Sequence, residues 1–215
     1  MKKLVFSMVM LLVTSLAFSQ THLYENPDFD RITQDHQILA ILPFKATVTL
    51  RPKQMKEITA EHMAKMELAE GREIQAGMYS WFLKRKKRGA LGIDVQDPNT
   101  TNALLAKARI SEDDYSMMTP QEIAEVLGVD AVIMGTFETT KPMSDGASIA
   151  LGVLVGFYGS TNRAVANIFI YNAQDGVLLV NYNKAVAGSV GSSTEDLVNI
   201  LMRKASRRIT YTKKV

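Results

Sequence analysis

The chain has 215 residues, of which 47% are hydrophobic, 22% charged and 7% aromatic, with 13 Gly, 6 Pro and no Cys. These values exclude a collagenous, disordered or disulfide-stapled protein, and the length fits one domain or at most two small ones. The formal charge is +3, but Lys2 and Lys3 stand in an N-terminal leader, so the remaining cations nearly balance the acids and no nucleic-acid partner is expected.

In the leader, Lys2 and Lys3 precede an apolar run from Leu4 to Leu16, and Ala17-Phe18-Ser19 ends just before Gln20. Small residues three before and one before a bond, after a short apolar core, are what a signal peptidase accepts, so residues 1–19 read as a signal peptide cleaved after Ser19. The run is shorter than the roughly 20 residues that a membrane-crossing helix needs. Export of a chain without cysteine leaves the fold to its core alone and removes the thiol that a lipid anchor would use. The expected location is the periplasm, with or without outer-membrane association.

Residues 20–37 are polar, mixed in charge and without periodicity, and are expected to be a surface lead-in. Ile38-Leu39-Ala40-Ile41-Leu42 is a continuous apolar run that stops at Pro43-Phe44, the pattern of a strand covered on both faces. From Pro52 to Arg88 the pattern becomes helical. Met55, Ile58, His62 and Met66 form one stripe, followed by Ile74, Met78, Trp81 and Phe82, with Gly71 and Gly77 allowing two helices or one bent helix. Lys84 to Arg88 and then Gly89 form a stop signal.

Leu91 to Val95 alternates as a second strand, and Asp97-Pro98 opens a helix through Leu104, Leu105 and Ala108. Thr119-Pro120-Gln121-Glu122 is a capping box with Pro at the first helical position, Ile123, Val126 and Leu127 face inward, and Gly128 ends the helix. Ala131 to Phe137 is a third strand. Arg163 to Tyr171 and Val177 to Ala187 form a hairpin across Asn172-Ala173-Gln174-Asp175-Gly176. Ser193 to Ile209 is an amphipathic helix, with Leu197, Leu201 and Ala205 at spacings of four and Ser193 capping with Asp196. This order makes an α/β fold, a single-domain sandwich with a mixed β-sheet flanked by helices.

Ile38 to Phe44, the run Ile123-Ala124-Glu125-Val126-Leu127-Gly128-Val129-Asp130-Ala131-Val132-Ile133-Met134-Gly135-Thr136, and Val165 to Val180 with its Asp175-Gly176 turn resemble the curli-assembly lipoprotein (CsgG-like) family. That wider group takes in the penicillin-binding-protein activator lipoproteins and the amino-terminal domain of the Tol translocation protein. The resemblance covers about residues 38–209 and implies a CsgG-like α/β domain over 38–215. Its motifs are structural, and it implies a periplasmic or outer-membrane accessory factor that binds other proteins and assembles into oligomers. The family's lipidated cysteine is missing here. Its secretion channels also insert two long hairpins per subunit, after the strand that ends near Phe137 and after the second hairpin strand.

The first of those places holds Ser148 to Tyr158, where Ile149, Leu151, Val153, Val155 and Phe157 alternate with mostly small residues. This is period two over close to the ~9 to 11 residues of a membrane β-strand. Its neighbour Thr139 to Gly146 is polar and contains Pro142, and Gly188 to Thr194 is too short to cross a bilayer, so a full pore is disfavoured. An extra strand or a buried helix packed through Gly152 and Gly156 is the plain structural reading, and a contact surface for a partner or a second copy is the functional one.

Converging catalytic groups are few. His22, His36 and His62 match no metal spacing, there is no Cys, and no phosphate loop, dinucleotide fingerprint or Gly-x-Ser-x-Gly elbow occurs, so neither enzymatic activity nor a metal or cofactor is expected. His62 is expected to be half-buried in the core. Gly188 to Ser193 is expected to cap a helix, with anion binding the lesser reading. Asp94, Asp97, Asn99, Thr100, Thr101 and Asn102 cluster where the second strand meets its helix, a weak ligand-site candidate whose structural alternative is helix capping by Asp97.

Lys84, Arg85, Lys86 and their neighbours to Arg88 could meet phospholipid headgroups or an acidic polymer, or simply end a solvated helix. The function expected is that of a non-enzymatic cell-envelope accessory protein acting through protein contacts in outer-membrane assembly or secretion. Its partners would be envelope proteins, a second copy of the chain, and a peripheral membrane surface. The alternatives are a CsgG-like secretion-channel component and a small-ligand or envelope-polymer binding module.

Overall fold

The structure, a computed structural model, describes residues 21–50, 52–56, 58–141, 163–187, 193–209 and 211. In chain order the elements are β1 (Thr21–Glu25), α1 (Phe29–Ile32), β2 (Ile38–Ile41), β3 (Lys45–Leu50), α2 (Pro52–Met55), α3 (Ala60–Lys87) and β4 (Asp94–Val95). They continue with α4 (Pro98–Lys107), a 3₁₀ turn (Asp114–Ser116), α5 (Pro120–Leu127), β5 (Ala131–Lys141), β6 (Arg163–Asn172), β7 (Leu178–Ala187) and α6 (Thr194–Ala205). The leader 1–19, the alternating segment 148–158 and the loop 188–192 lie outside the described residues.

The strands form one mixed sheet in the order β1-β7-β6-β5-β2-β4, with β3 also beside β5. β5 organises it. Ala131–Ile133 pair in parallel with Leu39–Ile41 of β2, and Thr136–Lys141 pair in parallel with Lys45–Leu50 of β3. β2 and β3 are thus successive parts of one path along β5, broken at Pro43-Phe44 where proline offers no amide to the ladder. β5, β6 and β7 are antiparallel neighbours, and the β6–β7 turn is the expected one.

β1 pairs antiparallel with β7, from Thr21 opposite Lys184 to Glu25 opposite Val180. Residues 21–25, expected within a polar surface lead-in, form an edge strand, and Phe29 just beyond them is buried in the main core. All five β1 residues are exposed. A strand with neither face covered carries no in-out alternation, which is why its sequence is silent.

α3 and α6 cover one face of the sheet. Ile74, Met78 and Phe82 from α3 and Leu197, Leu201 and Met202 from α6 pack over Ile133, Phe137 and Ile168. On the other face, Leu105 of α4 and Ile123, Ala124 and Leu127 of α5 cover Ala40, Leu42 and Val132. The result is the mixed α/β single-domain sandwich read from the sequence. Both capping boxes form: Glu122 accepts from the Thr119 amide at 2.7 Å, and Asp196 accepts from the Ser193 amide at 3.1 Å. Gly128 ends α5 at φ 64°.

α3 is one helix of 28 residues, and its buried positions begin at Glu70. The stripe before that point is not core: Met55 and His62 are exposed, and Ile58 and Met66 are half-buried. His62, expected half-buried, contributes only its amide to the Thr59 cap at 3.2 Å. Stripe spacing tells which way a side chain faces, and β3 meets these turns through Glu67, which accepts from the Val48 amide at 3.0 Å, rather than through the stripe. The second strand is also shorter than its pattern, since only Asp94 and Val95 pair with β2 while Leu91 and Ile93 are buried off the ladder. Among the described residues, no helix is long and apolar enough to cross a membrane.

Candidate functional site

α4 and α5 cover only part of their face of the sheet. Beyond them, Thr47, Thr49, Thr136, Glu138 and Thr140 are exposed, and Asn167, Phe169 and Asn183 are half-buried. At the border runs an open groove of about 370 Å³, walled by Tyr115, Met118, Met134, Phe169 and Tyr171 with Lys45 and Glu112 at its mouth. Phe169 and Tyr171 stack at 6.1 Å between ring centroids, as alternate residues of β6 on one face must. Burial, and then the nearby Glu112 charge, pushes the Tyr115 phenol up from its ordinary value.

The groove's outer lip is the 3₁₀ turn. Asp114 holds it, accepting from the Ser111 amide at 2.7 Å and the Ser111 hydroxyl at 2.6 Å, and these bonds keep its carboxyl below the usual range. Met117 follows and is 77% exposed. The Asn167 Oδ1 atom of the same sheet face is buried with no hydrogen-bond partner among the described residues. Aromatic and methionine side chains around a shallow apolar depression are the composition of a protein contact surface. Sequence reading missed this groove because Tyr115, Met134 and Phe169 come from three separate elements.

The polar cluster expected between β4 and α4 is occupied by structural duties. Asp97 caps α4, accepting from the Asn99 amide at 2.8 Å. Thr101 donates to Gln96 at 2.8 Å, and Asn102 exchanges hydrogen bonds with buried Gln75 at 3.0 and 3.1 Å. Asn99 and Thr100 are exposed. Asp94 forms an ion pair with Lys86, so the polar cluster and the basic run touch one another. In that run Lys84 lies 4.2 Å over the Trp81 ring, Lys87 and Arg88 are exposed, and Arg85 is half-buried.

A second cleft, of about 620 Å³, opens at the N-terminal ends of β2 and β5. His36 lines it and its Nδ1 lies 2.6 Å from the Tyr211 hydroxyl, 175 positions along the chain. Asp130 accepts from the Gln37 and Ile38 amides at 2.7 and 2.9 Å and fixes the start of β2. Burial lowers the His36 pKa and outweighs the pull of Asp130. Among the described residues, no group of three or more His, Asp or Glu side chains could hold a metal ion.

The sequence matches no protein family and no curated protein. Among solved structures it is similar to lipoprotein GNA1162 from Neisseria meningitidis, with 13% identity, a TM-score of 0.44 and coverage of 80% of this chain and 95% of that one. It is also similar to a PelC dodecamer from Paraburkholderia phytofirmans, with 9% identity, a TM-score of 0.40 and coverage of 92% and 100%. The C-terminal domain of LpoB from Salmonella enterica follows, with 12% identity, a TM-score of 0.33 and coverage of 75% and 94%.

Proposed function

We propose that this chain is an exported, non-enzymatic accessory protein of the cell envelope that works by gripping a protein partner. The observation that carries the reading is the groove at the border of α4 and α5, with its methionine and aromatic walls and the exposed Met117 on its lip. The occupant we assign is an apolar side chain presented by that partner, since interface cores favour aromatic and methionine contacts.

The alternating segment 148–158 is a second contact surface in this proposal. The β5–β6 ladder runs to Thr140 opposite Arg163, so the ends of the intervening chain leave side by side from one end of the sheet. In this proposal Ile149, Leu151, Val153, Val155 and Phe157, which lie between those two ends in the chain, supply the contact.

The test is a photo-crosslinking amino acid placed in turn at Met117, Val153 and, as a control, exposed Arg109, in cells that export the protein. Adducts of one defined mass from positions 117 and 153 but not 109 support the reading. Absence of any adduct, with a monomeric mass on light scattering, would overturn it. Liposome leakage caused by the parent protein and abolished by Val153→Asp with Val155→Asp would restore the secretion-channel alternative.

A further inference from the structure

We infer that the converging C-terminal ends of α3 and α6 form a docking face for a bilayer surface that carries phosphate headgroups. The two helices pack side by side. A Cβ on Gly77 would lie 3.2 Å from Val198 Cγ1, and Trp81 donates its indole N–H to Asn199 at 2.8 Å. Past the helix ends, the Gly92 amide donates to the Tyr211 carbonyl at 3.0 Å, so both C-termini finish at one corner of the molecule. α3 brings Lys84, Lys87 and Arg88 to that corner, and α6 with its closing turn brings Lys204, Arg207 and Arg208.

Helix ends account for some of this charge, because C-terminal cations offset the macrodipole. They do not account for all of it, since each dipole end amounts to only about half an elementary charge. Lys86 is matched by Asp94. Arg85 is not matched: its Nε and Nη2 atoms are buried and have no hydrogen-bond partner among the described residues. Burial, followed by the Arg207 and Arg88 charges, holds its guanidinium below its ordinary pKa. Lys184 of β7, buried and donating to the Thr21 hydroxyl, is lowered by burial and then by Lys204 and Arg208. A layer of anions laid against the corner would relieve this repulsion.

Leu83 favours a membrane over a soluble polyanion. The Trp81 ring carries the Lys84 ammonium at 4.2 Å, and Leu83 is 44% exposed on the helix face it shares with Lys87 four residues on. A leucine beside long cationic side chains can dip into the headgroup layer while the ammonium groups stay at the phosphates.

The experiment sediments the exported protein with vesicles of phosphatidylglycerol and phosphatidylethanolamine in equal amounts, and with vesicles of phosphatidylcholine. Partition onto the anionic vesicles should be at least about ten-fold stronger and should fall steeply with added salt. Joint reversal of exposed sites on both helices, Lys87→Glu, Arg88→Glu and Arg207→Glu, should remove most of that partition. Each single reversal, made alongside and checked by thermal unfolding, should remove part of it with an unchanged midpoint. Equal partition onto both vesicle types, or binding unaffected by the reversals, would overturn the inference. Binding to dextran sulfate with no sedimentation on anionic vesicles would overturn it in favour of a soluble polyanion.

Discussion

The Phe44 amide donates to the Gly71 carbonyl at 3.2 Å, a backbone hydrogen bond from the break between β2 and β3 to the middle of α3. A Cβ on Gly71 would stand 2.1 Å from the Phe44 oxygen, and one on Gly135 would stand 2.4 Å from the Phe44 ring. Phe44 therefore sits between two glycines, its backbone against the helix and its ring against β5. A glycine inside a helix costs about 1 kcal/mol relative to alanine, and here the missing side chain lets helix and sheet touch. Gly71→Ala should lower stability by about 1–3 kcal/mol, the range for overpacking, despite its better helix propensity. Urea unfolding reads this, and an unchanged or raised midpoint would mean that α3 can shift off the sheet without loss.

Leu201 is fully buried where α6 meets the sheet and α3. Leu201→Ala should cost about 2–5 kcal/mol, the sum of lost transfer energy and a cavity that the packed neighbours cannot fill. A loss under about 0.5 kcal/mol in denaturant unfolding is what a surface position gives, and would contradict the docking of α6.

Gln75 links α3 to both the sheet and α4, donating to the Ile41 carbonyl at 2.7 Å while pairing with Asn102. Gln75→Leu leaves both partners unsatisfied at a buried site and should cost about 1–3 kcal/mol. Adding Asn102→Leu should recover part of this loss, because the stranded amide is then gone. A double-mutant cycle with no coupling would show that the pair acts independently.

His36 is a base whose folded pKa is lowered, chiefly by burial beside Tyr211. Between its folded value and the unfolded value of about 6.5, the unfolded chain binds more protons, so stability is full above about pH 6.5 and falls as pH drops below it. The denaturant midpoint should therefore be lower at about pH 5.5 than at about pH 7.5, a window above the ordinary titration of Asp and Glu. His36→Gln should flatten the difference. A slope that survives the substitution would assign the effect to another group.

The exported protein should begin at Gln20, since Ala17 and Ser19 satisfy the signal-peptidase pattern. Intact-mass spectrometry decides this, and a mass that retains the leader would refute it.

By itself, the sequence determined what short stretches of chain decide. The β2 run, the two capping boxes, the Asp97 cap, the β6–β7 turn and the apolar stripe of α6 rest on contacts within a few residues, so their patterns are local and legible. The tertiary structure alone decided which patterns mattered. Two strands escaped attention: β1 because it is exposed throughout, and β3, although its alternate residues are buried, because it is short and follows directly on the Pro43 break. The stripe through His62 looked like core, yet Met55 and His62 are exposed and Ile58 and Met66 only half-buried. The groove, the His36–Tyr211 contact and the cationic corner each join residues from separate elements, and such neighbours are fixed by how helices and strands stack rather than by any spacing along the chain.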